Sequence, residues 1–334
     1  MQRRRLGGDG PEVSAIGVGA MSFAGIYGRA TEDEAHAVLA AALDLGIDHI
    51  DTANVYGGGL SERMVGSFLA RQGKARDGLF RIATKAGIRH DPESGRRGFD
   101  NSPAHLAAEL EGSLKRLGLD AVDLFYVHRR DPEVPIEEVA GALAGLVQAG
   151  KARAFGFSEI APSSLRRAAG VHPVAAVQSE YSLSTRAPEL GLVQACAALG
   201  TALVAFSPVG RALLTDRPPT PERIAASDFL RSNPRFTEPA LAANLALAAG
   251  FGRLAADMGT SAAALAIAWL LASGPGVIAI PGTRSPAHLA ELAAGAGLRL
   301  SAADIDRIEA TLPVGWAHGD RYSPGQWVGP ERYS

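Results

Sequence analysis

The chain has 334 residues, 47% of them hydrophobic and 20% charged, and a formal net charge of −2. That length allows one large barrel or two medium domains, and the near-neutral balance removes the electrostatic case for a nucleic-acid or polybasic membrane partner. No run of about 18 apolar residues argues for a membrane span, and the one cysteine, Cys196, cannot form an internal disulfide, so a reducing cytoplasm is expected.

The opening MQRRRLGGDG is basic, but a Gly-Asp-Gly turn stands where a signal peptide needs an apolar core. The stretch RRRLGGDGPEVSAIGVG predicts a short hairpin running into a first strand, AIGVG. TEDEAHAVLAAALDLG follows as a helix that Thr31 caps and Gly46 ends. The second strand, GIDHID, ends in Asp51, and Tyr56 stands in the loop beyond it, before three glycines. The third, FRIATKAG, carries Lys85, and SPAHLAAELEGSLKRLG then repeats the helix pattern with Ser102 as cap, Pro103 in the first turn and Gly118 at the end. VDLFYVH ends in His128, and ARAFGFS and VAAVQS supply the fifth and sixth strands. Cys196 sits in the Ala-rich helical stretch VQACAALG and reads as a small core residue. ALVAFS is followed by a long Pro- and Arg-bearing connection, residues 209–237, before GVIAIPG, an extra helix SAADIDRIEATL and a tail from Pro313. Loops of that length in a compact domain are more often functional than idle.

Eight strands, each followed by a helix, predict a (β/α)8 TIM barrel in a single domain over residues 1–334, with 313–334 as a C-terminal tail. An open doubly wound sheet is the alternative; the count of eight and the lack of a linker favour the barrel. GLVQAGKA nearly spells a phosphate loop, but Ala152 breaks the motif and Gly150 reads as a helix terminator. GVGAMS lacks the third glycine of a dinucleotide fingerprint. His36, His49, His90, His105, His172 and His318 are scattered without metal spacing.

In such a barrel the strand carboxyl ends share the face that carries the active site. Asp51, Tyr56, Lys85 and His128 therefore converge from three consecutive strands. Alone, a buried strand histidine or a strand-end Lys–Asp pair is usually structural; together, each changes what the others can do. A tyrosine of ordinary pKa about 10 is a poor acid at neutral pH. A nearby ammonium stabilises phenolate, so Lys85, held by Asp51, is expected to lower the Tyr56 pKa. His128 would orient a carbonyl while hydride arrives at its carbon from a cofactor, since no side chain supplies one.

GIDHIDTANVYGGGLSE, IATKAG, VDLFYVHRRDPEVPIEEVAGALAGLVQAGKARAFGFSE, AAVQSEYSL, AFSPVGR and IPGTRSPAHLAEL resemble the aldo-keto reductase superfamily, in order, from about residue 3 to 312. The text after strand four is similar to the bacterial and plant branch with pyridoxal-reductase-like and potassium-channel-β-like members. The resemblance implies a (β/α)8 barrel, NADPH as cofactor, Tyr56 as general acid, Lys85 and Asp51 as its tuning pair and His128 as the substrate-orienting residue. It implies Ser158 and Gln178 at the nicotinamide carboxamide, with Glu159 where many members have asparagine. Phe206 would stack on the nicotinamide, and Ser207, Val209, Gly210 and Arg211 would lie beside the pyrophosphate. Gly282 and Thr283 would donate to a phosphate at a helix start, Arg284 would engage the 2′-phosphate or the adenine, and His288 and Glu291 would face the adenosine. Leu292 replaces the asparagine usual at its position, and Met21, at the end of strand one, joins the cofactor set.

The reading that follows is an NADPH-dependent reductase of a small-molecule carbonyl. An NADPH-binding regulatory subunit, as the similar potassium-channel β-subunits are, is the alternative; a metal-dependent barrel hydrolase is opposed by the missing ligand cluster. The tail carries Trp316, Tyr322, Trp327 and Tyr333 among glycines and prolines. It reads either as a strap on the barrel wall or as a substrate wall shared with the loop after Val209 and with Met21 and Phe23.

Overall fold

The structure, a computed structural model, describes residues 1–26, 28, 30–76, 78–90 and 97–332. Tyr333 therefore lies outside the described residues. A hairpin of β1 (Arg3–Arg5) and β2 (Glu12–Ser14) comes first. Then follow β3 (Val18–Gly19), a 3-10 turn (Ala20–Ala24), α1 (Glu32–Asp44), β4 (His49–Asp51), α2 (Leu60–Arg71) and β5 (Arg81–Ala86). A second hairpin, β6 (Ile88–His90) on β7 (Arg97–Phe99), precedes α3 (Pro103–Leu117) and β8 (Val122–Val127). The alternation continues with α4 (Ile136–Gln148), β9 (Ala152–Ser158), α5 (Pro162–Ala169), β10 (Ala176–Glu180), α6 (Leu192–Leu199) and β11 (Ala202–Phe206). The long connection holds α7 (Pro221–Ala225) and α8 (Asp228–Arg231); α9 (Ala240–Asp257), α10 (Ala262–Ala272), β12 (Val277–Ala279), α11 (Pro286–Gly295) and α12 (Ala302–Thr311) complete the order.

Among the described residues, eight parallel strands form one sheet in the order β12-β11-β10-β9-β8-β5-β4-β3. A parallel bridge between Ile16 and Ala279, with Gly17 N donating to Ala279 O at 2.7 Å and Gly19 N to Pro281 O at 2.9 Å, joins the two edges. This is the predicted (β/α)8 barrel. Local sequence explains the elements. Thr31 and Glu34 form a capping box on α1, and Gly46 leaves it at φ +71°. Ser102 accepts from His105 N, Pro103 opens α3, and Gly118 ends it at φ +69°.

Period-two alternation divides the strand residues between two cores. Ala83, Leu124, Tyr126, Ala176, Val204 and Ile278 fill the barrel, and Leu6 and Val13 of the first hairpin join that cluster. Ile82, Phe125, Phe155, Val177 and Leu203 pack outward among the helices. Gly156 is required by this filling: a Cβ there would lie 2.4 Å from Ala176 O and 2.7 Å from the Tyr126 ring. The second hairpin was not expected from sequence. Cys196 is buried on α6, as read. No single helix among the described residues is long and apolar enough to cross a membrane.

Candidate active site

The parity that buries Ala83 and Leu124 also sends Asp51, Lys85 and Gln178 inward at the strand carboxyl ends. Lys85 is fully buried, and its ammonium donates to Asp51 Oδ1, to Thr52 O at 2.9 Å and to Tyr56 OH at 3.2 Å. All three of its protons are engaged. The second Asp51 oxygen accepts from Gln178 Nε2 at 2.8 Å. Tyr56 is carried by the turn after β4, and Gly57, Gly58 and Gly59 follow it at φ +61°, +59° and +81°. Three consecutive left-handed residues require glycine, and they bring the chain directly into α2. Ser61 fastens that helix start, bonding Thr52 Oγ1 and Ala20 O at 2.8 Å each. The His128 ring stands edge-on to Tyr56, with centroids 5.6 Å apart and planes at 82°.

Electrostatics corrects one expectation. Burial pushes the Tyr56 hydroxyl above its ordinary value; Lys85 opposes this, but Asp51 adds to it, so the net direction is upward. The predicted lowering counted Lys85 and Asp51 but left out burial, the largest influence on this hydroxyl. Burial works against the Lys85 charge, yet Asp51 and Tyr56 outweigh it and raise the Lys85 pKa. Burial first, then Arg129, Lys85 and Arg97, hold His128 well below the usual histidine range. The imidazole is therefore neutral at pH 7. His49, fully buried on β4 with neither ring nitrogen bonded, is also shifted down, chiefly by burial. A histidine depressed in the folded state contributes stability above its unfolded pKa of about 6.5 and loses it as pH falls. Urea unfolding is thus expected to show stability falling between about pH 6.5 and 5, by up to about 1.4 kcal/mol per pH unit for each such group. A flat profile in that window would contradict the assignment.

Tyr56, His128 and Asp51 open on a cavity of about 1130 Å³. Of the residues expected from sequence, Met21, Ser158, Gln178, Phe206, Ser207, Val209, Arg211, Gly282, Thr283, Arg284, His288 and Glu291 line it, as does Leu292. Gly282 is held against the closing strand; a Cβ there would meet Gly19 O at 2.9 Å. Ser22 Oγ donates to Thr283 O at 2.9 Å, and Ser285, accepting from His288 N, caps α11.

Other expectations need revision. Gly210 is not among the lining residues; at φ +57°, with a Cβ position 2.9 Å from Ser184 Oγ, it shapes the loop instead. Arg211, expected beside a pyrophosphate, directs its guanidinium onto Glu180 (Nη2 to Oε2, 2.6 Å), where both side chains are buried. Arg235 joins the same carboxylate at 3.4 Å. Glu159, at φ +59°, is buried and binds Arg321 of the tail at 2.7 Å, and it does not line the cavity. Phe23 is fully buried in the outer core, while Met21, on the same 3-10 turn, lines the cavity.

The tail is both strap and wall. Trp316 is buried, its Nε1 donating to Leu183 O at 2.9 Å, whereas Tyr322 and Gln326 line the cavity. Trp327 is not a lining residue but packs edge-on against Tyr322 at 5.5 Å. Asp216, Arg217 and Arg223, in the connection expected to help wall the cleft, line the cavity, whereas sequence reasoning missed Arg97, Arg129, Ser22 and Glu34 there. Arg129 had a signal, its place next to His128; the others had none. Among the described residues no group of three or more His, Cys, Asp or Glu could hold a metal ion.

A closed (β/α)8 barrel with a Tyr–Lys–Asp cluster and a histidine at its carboxyl-end cavity defines the class of protein. The family model described as Aldo/keto reductase family matches residues 15–313. The chain is similar to the Aldo-keto reductase yakc [NADP(+)] of Schizosaccharomyces pombe, 39% identical over 84% of this chain and 82% of that protein. It is also similar to the Aldo-keto reductase str7 of Strobilurus tenacellus, 40% identical over 81% of each. Among solved structures, the glycerol dehydrogenase AKR11B4 from Gluconobacter oxydans superposes with a TM-score of 0.80, at 30% identity over 96% of this chain and 98% of that one. The thermostable aldo-keto reductase Tm1743, solved with the inhibitor epalrestat, gives 0.71 at 29% identity, over 93% and 100%. The chain belongs to the aldo/keto reductase family and is an oxidoreductase.

Proposed function

We propose that this protein is an NADPH-dependent reductase that converts aldehydes or ketones to alcohols, with Tyr56 as the general acid. The observation that carries the reading is the contact of Tyr56 with the buried Lys85–Asp51 pair, beside a neutral His128 on the cavity wall. The relative in Schizosaccharomyces pombe carries NADP(+) in its name, and this chain's cavity suits such a group. Phe206 presents an aromatic side chain to it, Gly282 and Thr283 precede a capped helix, and Arg284 adds a cation there. Bound NADPH would supply the hydride.

The residues of the chain do the rest. His128, kept neutral, offers a hydrogen bond to the carbonyl oxygen without repelling the neighbouring cations. Tyr56, kept protonated by burial, holds the proton that the developing alkoxide takes from its hydroxyl. Lys85 then stabilises the tyrosinate left behind, and Gln178 keeps Asp51 directed at Lys85. A steady-state assay of NADPH oxidation with a panel of aldehydes and ketones tests the proposal. Turnover of at least part of the panel is expected; tight NADPH binding with no turnover of any member would overturn it.

Arg284 separates the two nicotinamide cofactors. One charge-assisted hydrogen bond to a 2′-phosphate corresponds to about 1.5–3 kcal/mol, roughly a tenfold to hundredfold preference. Arg284→Ala is expected to weaken NADPH binding by that factor and NADH binding much less. Equal losses in fluorescence titrations would remove Arg284 from the role.

A further inference from the structure

Several arginines around the catalytic mouth are paired with carboxylates. Arg211 and Arg235 meet Glu180, Arg321 meets Glu159, and Arg130 meets Glu331 at 2.9 Å. Each of these charges has a carboxylate. Arg97 and Arg129 also lie on the cavity wall, and among the described residues neither has a carboxylate within ion-pair distance. Arg129 is buried; its Nη1 donates to His128 O at 2.6 Å and to Ser158 Oγ at 3.0 Å, its Nη2 reaches Tyr322 OH at 3.5 Å, and its Nε is buried without a partner. Arg97, on β7, lies over the Phe99 ring with its guanidinium carbon 5.4 Å from the centroid.

We infer that Arg97 and Arg129 form a receptor for an anionic group on the substrate, so that the preferred carbonyl compounds carry a carboxylate at the end remote from the reacting carbon. The inference rests on the carbonyl-reductase reading of the same cavity and names its substrate class. Two guanidinium groups without a counter-charge among the described residues, at the wall of a cavity, are expensive to leave unpaired, and their planar donors match a carboxylate. The neighbouring phenol does not neutralise them, because burial raises the Tyr322 pKa and keeps its hydroxyl protonated. Both cations are near the reaction centre: each acts on the charge of His128, and Arg129 also acts on Tyr56. They also repel each other, which pushes Arg97 down to about 10 after burial has lowered it. An anion between them relieves that repulsion. The phosphate-suited elements, Gly282 to Arg284, lie between β12 and α11, whereas Arg97 on β7 and Arg129 come after β5 and β8. A substrate, and not the phosphates proposed for that other wall, would bring the charge here.

Paired substrates of equal shape test this. 4-Carboxybenzaldehyde is expected to exceed 4-carbamoylbenzaldehyde in kcat/KM by about tenfold to hundredfold, the value of a charge-assisted contact. Arg97→Gln, on a partly exposed hairpin strand, should bring that ratio close to one, and Arg97→Lys should restore part of it. Calorimetry gives a second readout that needs no turnover: 4-(hydroxymethyl)benzoate should bind the NADP+-saturated protein more tightly than 4-(hydroxymethyl)benzamide, and less so in Arg97→Gln. Equal kcat/KM for the two aldehydes, or equal affinity for the two alcohols, overturns the inference. So does a preference that survives intact in Arg97→Gln. If neither aldehyde turns over but the acid alcohol still binds more tightly, the reductase reading fails while the anion receptor stands.

Discussion

Tyr56→Phe is expected to lower kcat for carbonyl reduction by about 100- to 10,000-fold, the usual worth of a positioned general acid, while NADPH affinity stays near that of the parent protein. The ring would keep its edge-on packing against His128, and Lys85 would keep Asp51 and Thr52 O, so the substitution removes one hydroxyl and little else. It also removes the bond from Lys85 to a group that can give a proton to substrate. Burial makes Tyr56 a weaker acid than the free side chain in this structure, which has a kinetic corollary. The pH dependence of kcat should show no loss near neutrality from ionisation of Tyr56. Single-turnover stopped-flow measurement of NADPH oxidation checks both points. Wild-type turnover in the variant, with hydride transfer still limiting, would take Tyr56 out of the mechanism.

The largest expected loss of stability follows from Glu180→Ala. The Glu180 carboxylate accepts from Arg211 at 2.6 and 3.3 Å, from Arg235 at 3.4 Å and from Thr185 at 2.9 Å, with its own side chain fully buried. Burial alone would push its carboxyl up, yet Arg211, Arg235 and Arg321 hold it below the ordinary glutamate range. Removing it leaves buried guanidinium groups without their shared counter-charge, a change that typically costs about 3–5 kcal/mol. The loss should appear as a lower urea midpoint with the slope nearly unchanged. Because Arg211 anchors the loop that carries Ser207 and Val209, cofactor affinity should fall with it. Glu180→Gln, which keeps hydrogen-bond acceptors but no charge, should lie between the two. A loss under about 1 kcal/mol for the alanine variant would show that the arginines find other partners.

Legibility in the sequence follows the strength of the local signal. The eight barrel strands were readable because each is a short apolar run between helix-end glycines and turn residues, and Asp51, Lys85 and His128 were readable because each closes such a run. The second hairpin was not. Ile88–His90 and Arg97–Phe99 are three residues each, and Arg97, Gly98 and Phe99 are all half-buried, so neither alternation nor a hydrophobic run marks them. Side-chain partners across the chain were the other blind spot. Nothing near Arg211 in sequence announces Glu180, and nothing near Glu159 announces Arg321, which lies in the tail. The acidity of Tyr56 came out with the wrong sign because pairing charges by type ignores burial, the largest influence on that hydroxyl.

The seam where β3 meets β12 carries a mechanical consequence. Ile16 and Ala279 are separated by most of the chain, so the barrel stays an open sheet, with both of its outermost strands unpaired, until the eighth strand arrives. Long-range closure of this kind is slow, and open edges invite association with other chains. The same seam holds Gly19 against Gly282, one wall of the cavity. A molecule seated across those two glycines therefore acts as a rivet on the last joint to form, and it stabilises the closed barrel by mass action in proportion to its concentration. Cells rich in that molecule would hold more of this protein intact against proteolysis, quite apart from how fast it turns over.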